Sequence, residues 1–288
     1  MASQFLPPSE EELRQWAIGK TVIITGGAQG IGFGVSQLFA EAGAKVVIAD
    51  VDDVVGKQAE VELGPDALFA RCDVTCWADQ IRLFQIAMSE SGRIDLVVCN
   101  AGIHPELVPS NGFKYDYLVD TYAEGYPKDL QFLEPPNTMI FDVNTFGVLY
   151  SMKLAVHHMI GRGGGGRVVV MGSAASYMGF DGHTLYCASK HAILGLVRAT
   201  SKRKECLENE ISISLAAPWA TRTRMTQAFV DHLPTSMSIS SPRDVAMAVA
   251  ILATQPTSKI NGKGIWVQGK IYTEVEDAIA ECQTKLVI

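Results

Sequence analysis

The sequence predicts a doubly wound α/β fold: a parallel sheet of about seven strands with helices on both faces. Three observations predict it. Strand-like and helix-like segments alternate from Thr21 to Val267. The strands are unbroken apolar runs rather than apolar/polar alternations, the pattern of strands buried on both faces. A cluster of glycines sits where the first strand meets the first long helix.

Each element has its own local reason. Ser9 with Glu12 is a capping-box spacing, so Glu10 to Ala17 is predicted as a short N-terminal helix whose acidic start is its solvated first turn. Thr21 to Ile24 is a β-branched run ended by glycines. Phe33 to Ala42 is helix-like, Lys45 to Ala49 is a second strand, Val54 to Glu62 a helix, and Ala67 to Arg71 a third strand. Ala78 to Ser91 is predicted as a helix and Asp95 to Cys99 as the fourth strand. The second half continues with strand Arg167 to Met171, a long helix from Leu185 to Cys206, and strand Ile211 to Ala216. Helix Pro242 to Ala253 follows, and Gly264 to Val267 is read as the last strand. Gly163 to Gly166 reads as a loose turn.

The stretch 103–137 breaks the rhythm. It holds five prolines and six aromatics: Phe113, Tyr115, Tyr117, Tyr122, Tyr126 and Phe132. A connection this long inside a compact domain is usually functional or disordered, and six aromatics argue against plain disorder. They either cover a pocket or pack as a small satellite core.

Composition narrows the function classes. The 288 residues are 48% hydrophobic and 19% charged, which excludes a mainly disordered chain. The net charge is −7 and the pI about 5.4. An acidic chain without clustered Lys and Arg is a poor partner for nucleic acid or an anionic membrane. The N-terminus reaches Pro7-Pro8 without a basic and then apolar leader, and no uninterrupted apolar run approaches about 18 residues. The expectation is a soluble, cytoplasmic protein. Cys72, Cys76, Cys99, Cys187, Cys206 and Cys282 form no zinc pattern and are expected to be reduced structural thiols, so no metal site is expected. His157-His158 read as interface or core residues.

Thr25-Gly26-Gly27-Ala28-Gln29-Gly30-Ile31-Gly32 follows the first strand and opens a helix. Glycines there permit a tight turn and let the backbone approach a pyrophosphate, which the helix N-terminus then receives. Asp50 stands 18 residues after Gly32, at the end of the next strand, where a carboxylate accepts the two ribose hydroxyls. The same carboxylate repels a 2′-phosphate, and the flanking Gln29 and Val51 supply no compensating cation. The cofactor expected is therefore NAD. With no Pro/Ser-rich linker in the chain, residues 1–288 are read as one dinucleotide-binding, catalytic domain of Rossmann type, with 103–137 as an insertion near the substrate pocket.

These residues carry a resemblance. The chain resembles a short-chain dehydrogenase/reductase of the NAD-preferring, single-domain type. The glycine loop matches the family's T-G-x-x-x-G-x-G, Asn100-Ala101-Gly102 its N-A-G, and Tyr186-Cys187-Ala188-Ser189-Lys190 its Y-x-x-x-K. Asn144 lies in Val143-Asn144-Thr145, and Ser173 ends the fifth strand. The resemblance implies a catalytic tetrad of Asn144, Ser173, Tyr186 and Lys190. It implies that Asp73 and Val74 flank the adenine, that Asn100, Ala101 and Gly102 lie over the cofactor, and that Thr221 and Thr223 hold the carboxamide. It also implies a homodimer or homotetramer built through Phe141 to Ile160 and Leu185 to Cys206. The family's proline-glycine after the sixth strand is here Pro218-Trp219, which puts an indole beside the nicotinamide. The distance from Gly102 to Asn144, 42 residues, is longer than usual in the family.

Tyr186 and Lys190, four apart, share one face of a helix. A phenol ordinarily ionises near pH ~10. The expectation is that the ammonium lowers this and makes Tyr186 the acid/base, with Ser173 holding the substrate oxygen, Lys190 the nicotinamide ribose, and Asn144 a water on the proton path. Phe180, His183, Trp219, Met225 and Phe229 are candidate walls of the pocket, and apolar walls favour an apolar substrate. The predicted function is hydride transfer between NAD(H) and a secondary alcohol or ketone of a fairly large apolar molecule, with oxidation as the favoured direction. The alternatives are a related enzyme using bound NAD for a rearrangement or epimerisation, and a non-enzymatic NAD-binding scaffold. A weaker likeness to fungal secondary-metabolite dehydrogenases points to terpenoid, steroid or polyketide substrates.

Overall fold

A computed structural model describes residues 3–107, 135–160 and 165–285. Among them eight strands form one sheet, in the order β3-β2-β1-β4-β5-β6-β7-β8. The strands are β1 Thr21–Thr25, β2 Lys45–Asp50, β3 Ala67–Arg71, β4 Leu96–Cys99, β5 Gly166–Met171, β6 Ile211–Pro218, β7 Gly264–Gln268 and β8 Ile271–Glu274. The first seven run parallel, and β8 returns antiparallel to β7.

Helices clothe both faces: α1 Glu10–Ala17, α2 Gly30–Glu41, α3 Asp53–Leu63, α4 Trp77–Ser91, α5 Met139–Phe141, α6 Val148–Met159, α7 Thr184–Thr200, α8 Lys204–Glu208, α9 Gln227–Val230, α10 Pro242–Thr254, α11 Thr257–Ile260 and α12 Glu276–Thr284. The apolar runs follow from this layering. Along β1, Val22 and Ile24 pack into the core under α2 and α10, while Ile23 between them packs into the core under α4, α6 and α7. A strand sandwiched between two helical layers has no solvent face to make polar. Gly34 lets α2 meet α10 closely, since a Cβ there would press on Pro242 at 3.0 Å.

Most predicted elements stand within a residue or three of their predicted bounds, and Ser9 closes the capping box with Glu12. Three differ. The count of about seven strands becomes eight: after Gly269-Lys270 the chain turns back as β8, with Gly269 at φ 57, so Gly264–Gln268 is not the last strand. A two-residue turn with a left-handed glycine is a hairpin signal, and it is followed here by the short β-branched segment Ile-Tyr-Thr. The helix predicted from Leu185 to Cys206 is two helices. It stops at Ser201, whose carbonyl accepts from Asn261 Nδ2 (2.9 Å), and resumes at Lys204. The tail adds α12, held by Glu276, which takes two hydrogen bonds from Arg198 and one from Tyr177 (2.7–3.2 Å).

Met139–Met159, 21 residues holding an 18-residue stretch of mean hydropathy 1.2, is by length and composition alone apolar enough to cross a membrane. Its buried residues Val148, Met152, Ala155 and Met159 are part of the core under the sheet. His158 stacks on Phe84 at 5.6 Å. The cysteines are unpaired, with Cys72, Cys99, Cys187 and Cys206 buried. The aromatics Phe113 to Phe132, with the pocket cover or satellite core expected of them, lie outside the described residues, as do Gly163 and Gly164 of the expected turn.

Candidate functional site

Strand order reverses between β1 and β4, which are neighbours although β2 and β3 intervene in sequence. Loops leaving the carboxyl ends of such a pair diverge and open a crevice. The glycine loop leaves β1, and Asn100-Ala101-Gly102 leaves β4. Gly26 lies at φ 62, and a Cβ on it would sit 2.9 Å from the Ala101 backbone; one on Gly32 would collide with the Gly26 carbonyl. The side chain of Asn100 ties the two loops, donating to the carbonyls of Thr25 and Gly26 at 3.0 Å each. Gln29 is the N-cap of α2 and makes no side-chain capping bond, so the first N–H groups of Gly30, Ile31 and Gly32 are not spent on a cap.

Asp50 ends β2 beside this loop and is buried. Its two oxygens accept from the backbone N–H of Ala28 and of Asp52, both at 3.2 Å. Val51 next to it is exposed. Asp73 turns the chain after β3 by accepting from Thr75, and buried Val74 lies against Gly147. On the far side, the loop after β6 comes back to the cradle: the Thr223 side chain stands 3.6 Å from where a Cβ of Gly30 would be. Thr226 braces this loop, meeting the Thr221 carbonyl and both the N–H and hydroxyl of Thr223. The Thr221 hydroxyl is buried without a hydrogen-bond partner among the described residues. A buried orphan hydroxyl, a carboxylate held by backbone amides and a glycine cradle fit a dinucleotide. Gly26, Gly30, Gly32, Asp50 and Thr221 are the residues that would hold it.

The predicted tetrad residues come together at the next gap, between β4 and β5. Gly172 and Ser173 leave β5. Ser173 caps a short 3₁₀ turn, Ala174–Ser176, by accepting from Ala175 N–H (3.2 Å). Tyr186 and Lys190 are one turn apart on α7, with the Lys190 ammonium 5.6 Å from the Tyr186 ring centre. Lys190 is buried and donates to the Met171 carbonyl at 2.9 Å. Burial drops its pKa to about 8. Asn144 lies in a π-helical turn, Asp142–Gly147, and is fully buried. Its amide takes both backbone groups of Ile103 (2.8 and 2.9 Å) and also donates to Ser189 Oγ.

One expectation is reversed. The phenol of Tyr186 lies above its ordinary pKa rather than below it, because burial raises it more than the neighbouring Ser173 side chain lowers it. The sequence places the ammonium one turn away, but desolvation is a property of the assembled site.

Sequence reasoning missed two residues here. His104 stacks on the Tyr186 ring with centroids 3.7 Å apart and planes 12° apart, and its Nε2 pairs with His183 Nδ1 at 3.0 Å. Glu106, buried, accepts from the N–H groups of Leu185 and Tyr186 (3.0 and 2.9 Å), capping α7 at the residue that carries the phenol. The only signal was their position just after Asn100-Ala101-Gly102. The predicted wall is partly assembled. Trp219 lies between Phe180 (5.6 Å) and Trp266 (5.8 Å). His183 joins through His104, and Met225 is exposed. The side chain of Phe229 lies outside the described residues.

Nicotinamide-cofactor oxidoreductases are one class built on this architecture with its switch-point crevice. The chain belongs to the short-chain dehydrogenase family, whose sequence model matches residues 20–234. It is 32% identical over 281 residues to the short-chain dehydrogenase/reductase prx4 of Penicillium roqueforti, covering 91% of this chain and 78% of that protein. It is 31% identical to zerumbone synthase of Zingiber zerumbet, over 87% of this chain and 94% of that one. A crystal structure of 3-ketoacyl-(acyl-carrier-protein) reductase from Brucella melitensis, complexed with NADH, superposes with a TM-score of 0.73 at 26% identity, covering 88% and 98% of the two chains. The protein is thus an oxidoreductase.

Proposed function

We propose that this chain is an NAD(H)-dependent dehydrogenase of a secondary alcohol on a fairly large apolar molecule, with Tyr186 as the acid/base. The observation that carries this reading is the convergence on one helix face of Tyr186 and a buried Lys190, beside Ser173 and within reach of the crevice that Asp50 closes. The bound nicotinamide supplies the acceptor or donor of hydride. Asp50 selects NAD over NADP, since its carboxylate is buried with no cation paired to it among the described residues and repels a 2′-phosphate. Ser173 orients the substrate oxygen. In oxidation Tyr186 Oη accepts the alcohol proton as the hydride leaves carbon; in reduction it donates the same proton. Lys190 stabilises the phenolate that oxidation needs. Asn144 acts by holding Ile103, which fixes the loop over the site.

The Phe180–Trp219–Trp266 aromatic row supports an apolar substrate of terpenoid, steroid or polyketide type. We extend the reading to a single catalytic domain working as a cytoplasmic homo-oligomer. A screen of such alcohols, following NADH absorbance, tests the activity. Tyr186→Phe should lower kcat by roughly a hundredfold or more; near-normal turnover in that variant refutes the assignment.

A further inference from the structure

The loop that follows β4 is pinned on both sides of His104. Before it, Ile103 is held by both backbone groups on buried Asn144. After it, the Glu106 carboxylate takes the first N–H groups of α7, including that of Tyr186 itself. Between these anchors the imidazole of His104 lies flat on the Tyr186 phenol, 3.7 Å away and 12° from parallel. Its Nε2 is paired with Nδ1 of His183, which sits edge-on at 4.9 Å.

We propose that His104, steadied by His183, is a positioning residue for the proton transfer: a ring clamp that closes one face of the Tyr186 phenol and holds its hydroxyl in the direction of Ser173. The proposal rests on the reading of Tyr186 as the acid/base. A proton passes efficiently only across a hydrogen-bond distance held to within a fraction of an ångström, and a phenol free to swing does not hold it. A flat ring packed on the phenol removes that freedom and keeps water off that face. The titratable groups around the clamp are Tyr186, Cys187 and Lys190 on α7, His183 ahead of it, and Glu106 beneath. Burial, with His183 and the Lys190 charge adding to it, holds His104 down at about 3. The clamp is therefore an uncharged ring throughout the working pH range, and it does not compete with Lys190 as a cation beside the phenolate.

The test is a pH titration of the near-ultraviolet tyrosinate band, with Tyr186 isolated by subtracting Tyr186→Phe, on wild type, His104→Ala, His104→Phe and His183→Leu. The expected result is that His104→Ala lets water reach the phenol and moves its midpoint down toward the ordinary tyrosine value. His104→Phe, which keeps a flat ring, leaves the midpoint at the wild-type position. His183→Leu, which frees the imidazole without removing it, gives a smaller shift in the same direction and serves as the second variant if His104→Ala does not fold. With an alcohol from the screen above, His104→Ala should lower kcat about tenfold while the KM for NAD stays within about twofold, and His104→Phe should recover most of the loss. A midpoint unmoved in both His104→Ala and His183→Leu overturns the clamp. Full turnover in Tyr186→Phe would instead overturn the acid/base reading, whatever the midpoints.

Discussion

At the scale of single residues, the site sets stabilising groups against costly ones. Lys190 is the clearest cost. Its pKa falls from an ordinary 10.5 to about 8 because burial penalises the ammonium. A lysine with a depressed folded pKa destabilises the fold fully below that value. The penalty is relieved as pH rises from about 8 to 10.5, where the unfolded chain still binds the proton and the folded one does not. Lys190→Met should therefore be more stable than wild type near pH ~7, by a few kcal/mol at most. Chemical denaturation should show the difference shrinking between those two values, and turnover should fall. On the proposed reading of the site the offset is functional, since a buried cation stabilises a neighbouring phenolate far better than an exposed one. Asp50 makes a second residue-scale prediction. Asp50→Ala removes the charge that repels a 2′-phosphate, and the ratio of kcat/KM for NAD to that for NADP should fall by about tenfold or more. A ratio unchanged in that variant would place cofactor choice elsewhere.

Among the elements, α7 shows how a short distance in space governs chemistry that the chain separates widely. Its N-terminus is capped from the loop after β4, since Glu106 lies 79 and 80 residues before the two N–H groups it accepts. Removing that carboxylate as Glu106→Ala leaves buried N–H groups unpaired, and should lower stability by about 1–2 kcal/mol in a melt. Glu106→Gln, which keeps an acceptor, should lose less. The tail is a parallel case. Glu276 of α12 holds Arg198, on the same α7, and Tyr177, which follows the Ser173 turn. Glu276→Ala should cost about 1–3 kcal/mol, read as a lowered Tm, because it leaves two donors behind. Most of the sheet and its covering helices were legible in the sequence, since each strand is an apolar run between glycines or caps. The break of α7 from α8 was not. No glycine or proline marks Ser201–Arg203, and the interruption is held by the Asn261 side chain on the Ser201 carbonyl, a contact 60 residues long.

For the whole molecule, the doubly wound order puts two kinds of site side by side. The glycine cradle and Asp50 lie at the β1/β4 reversal, and Ser173, Tyr186 and Lys190 lie over the neighbouring β4/β5 gap. On the proposed reading, that adjacency lets a hydride acceptor and a proton acceptor address one carbinol. The sequence by itself determined the fold class, the glycine loop, Asp50 and the Tyr186–Lys190 spacing. These are local features: a period of two or of about 3.6, a turn residue, a fixed offset along one helix. Only the tertiary structure decided the eighth strand's return along β7, the cap from Glu106, the clamp of His104 and the direction of the Tyr186 shift. The last three depend on residues far apart in the chain meeting in a space largely shielded from water. Periodicity does not encode such meetings, and desolvation does not exist until the layers have packed.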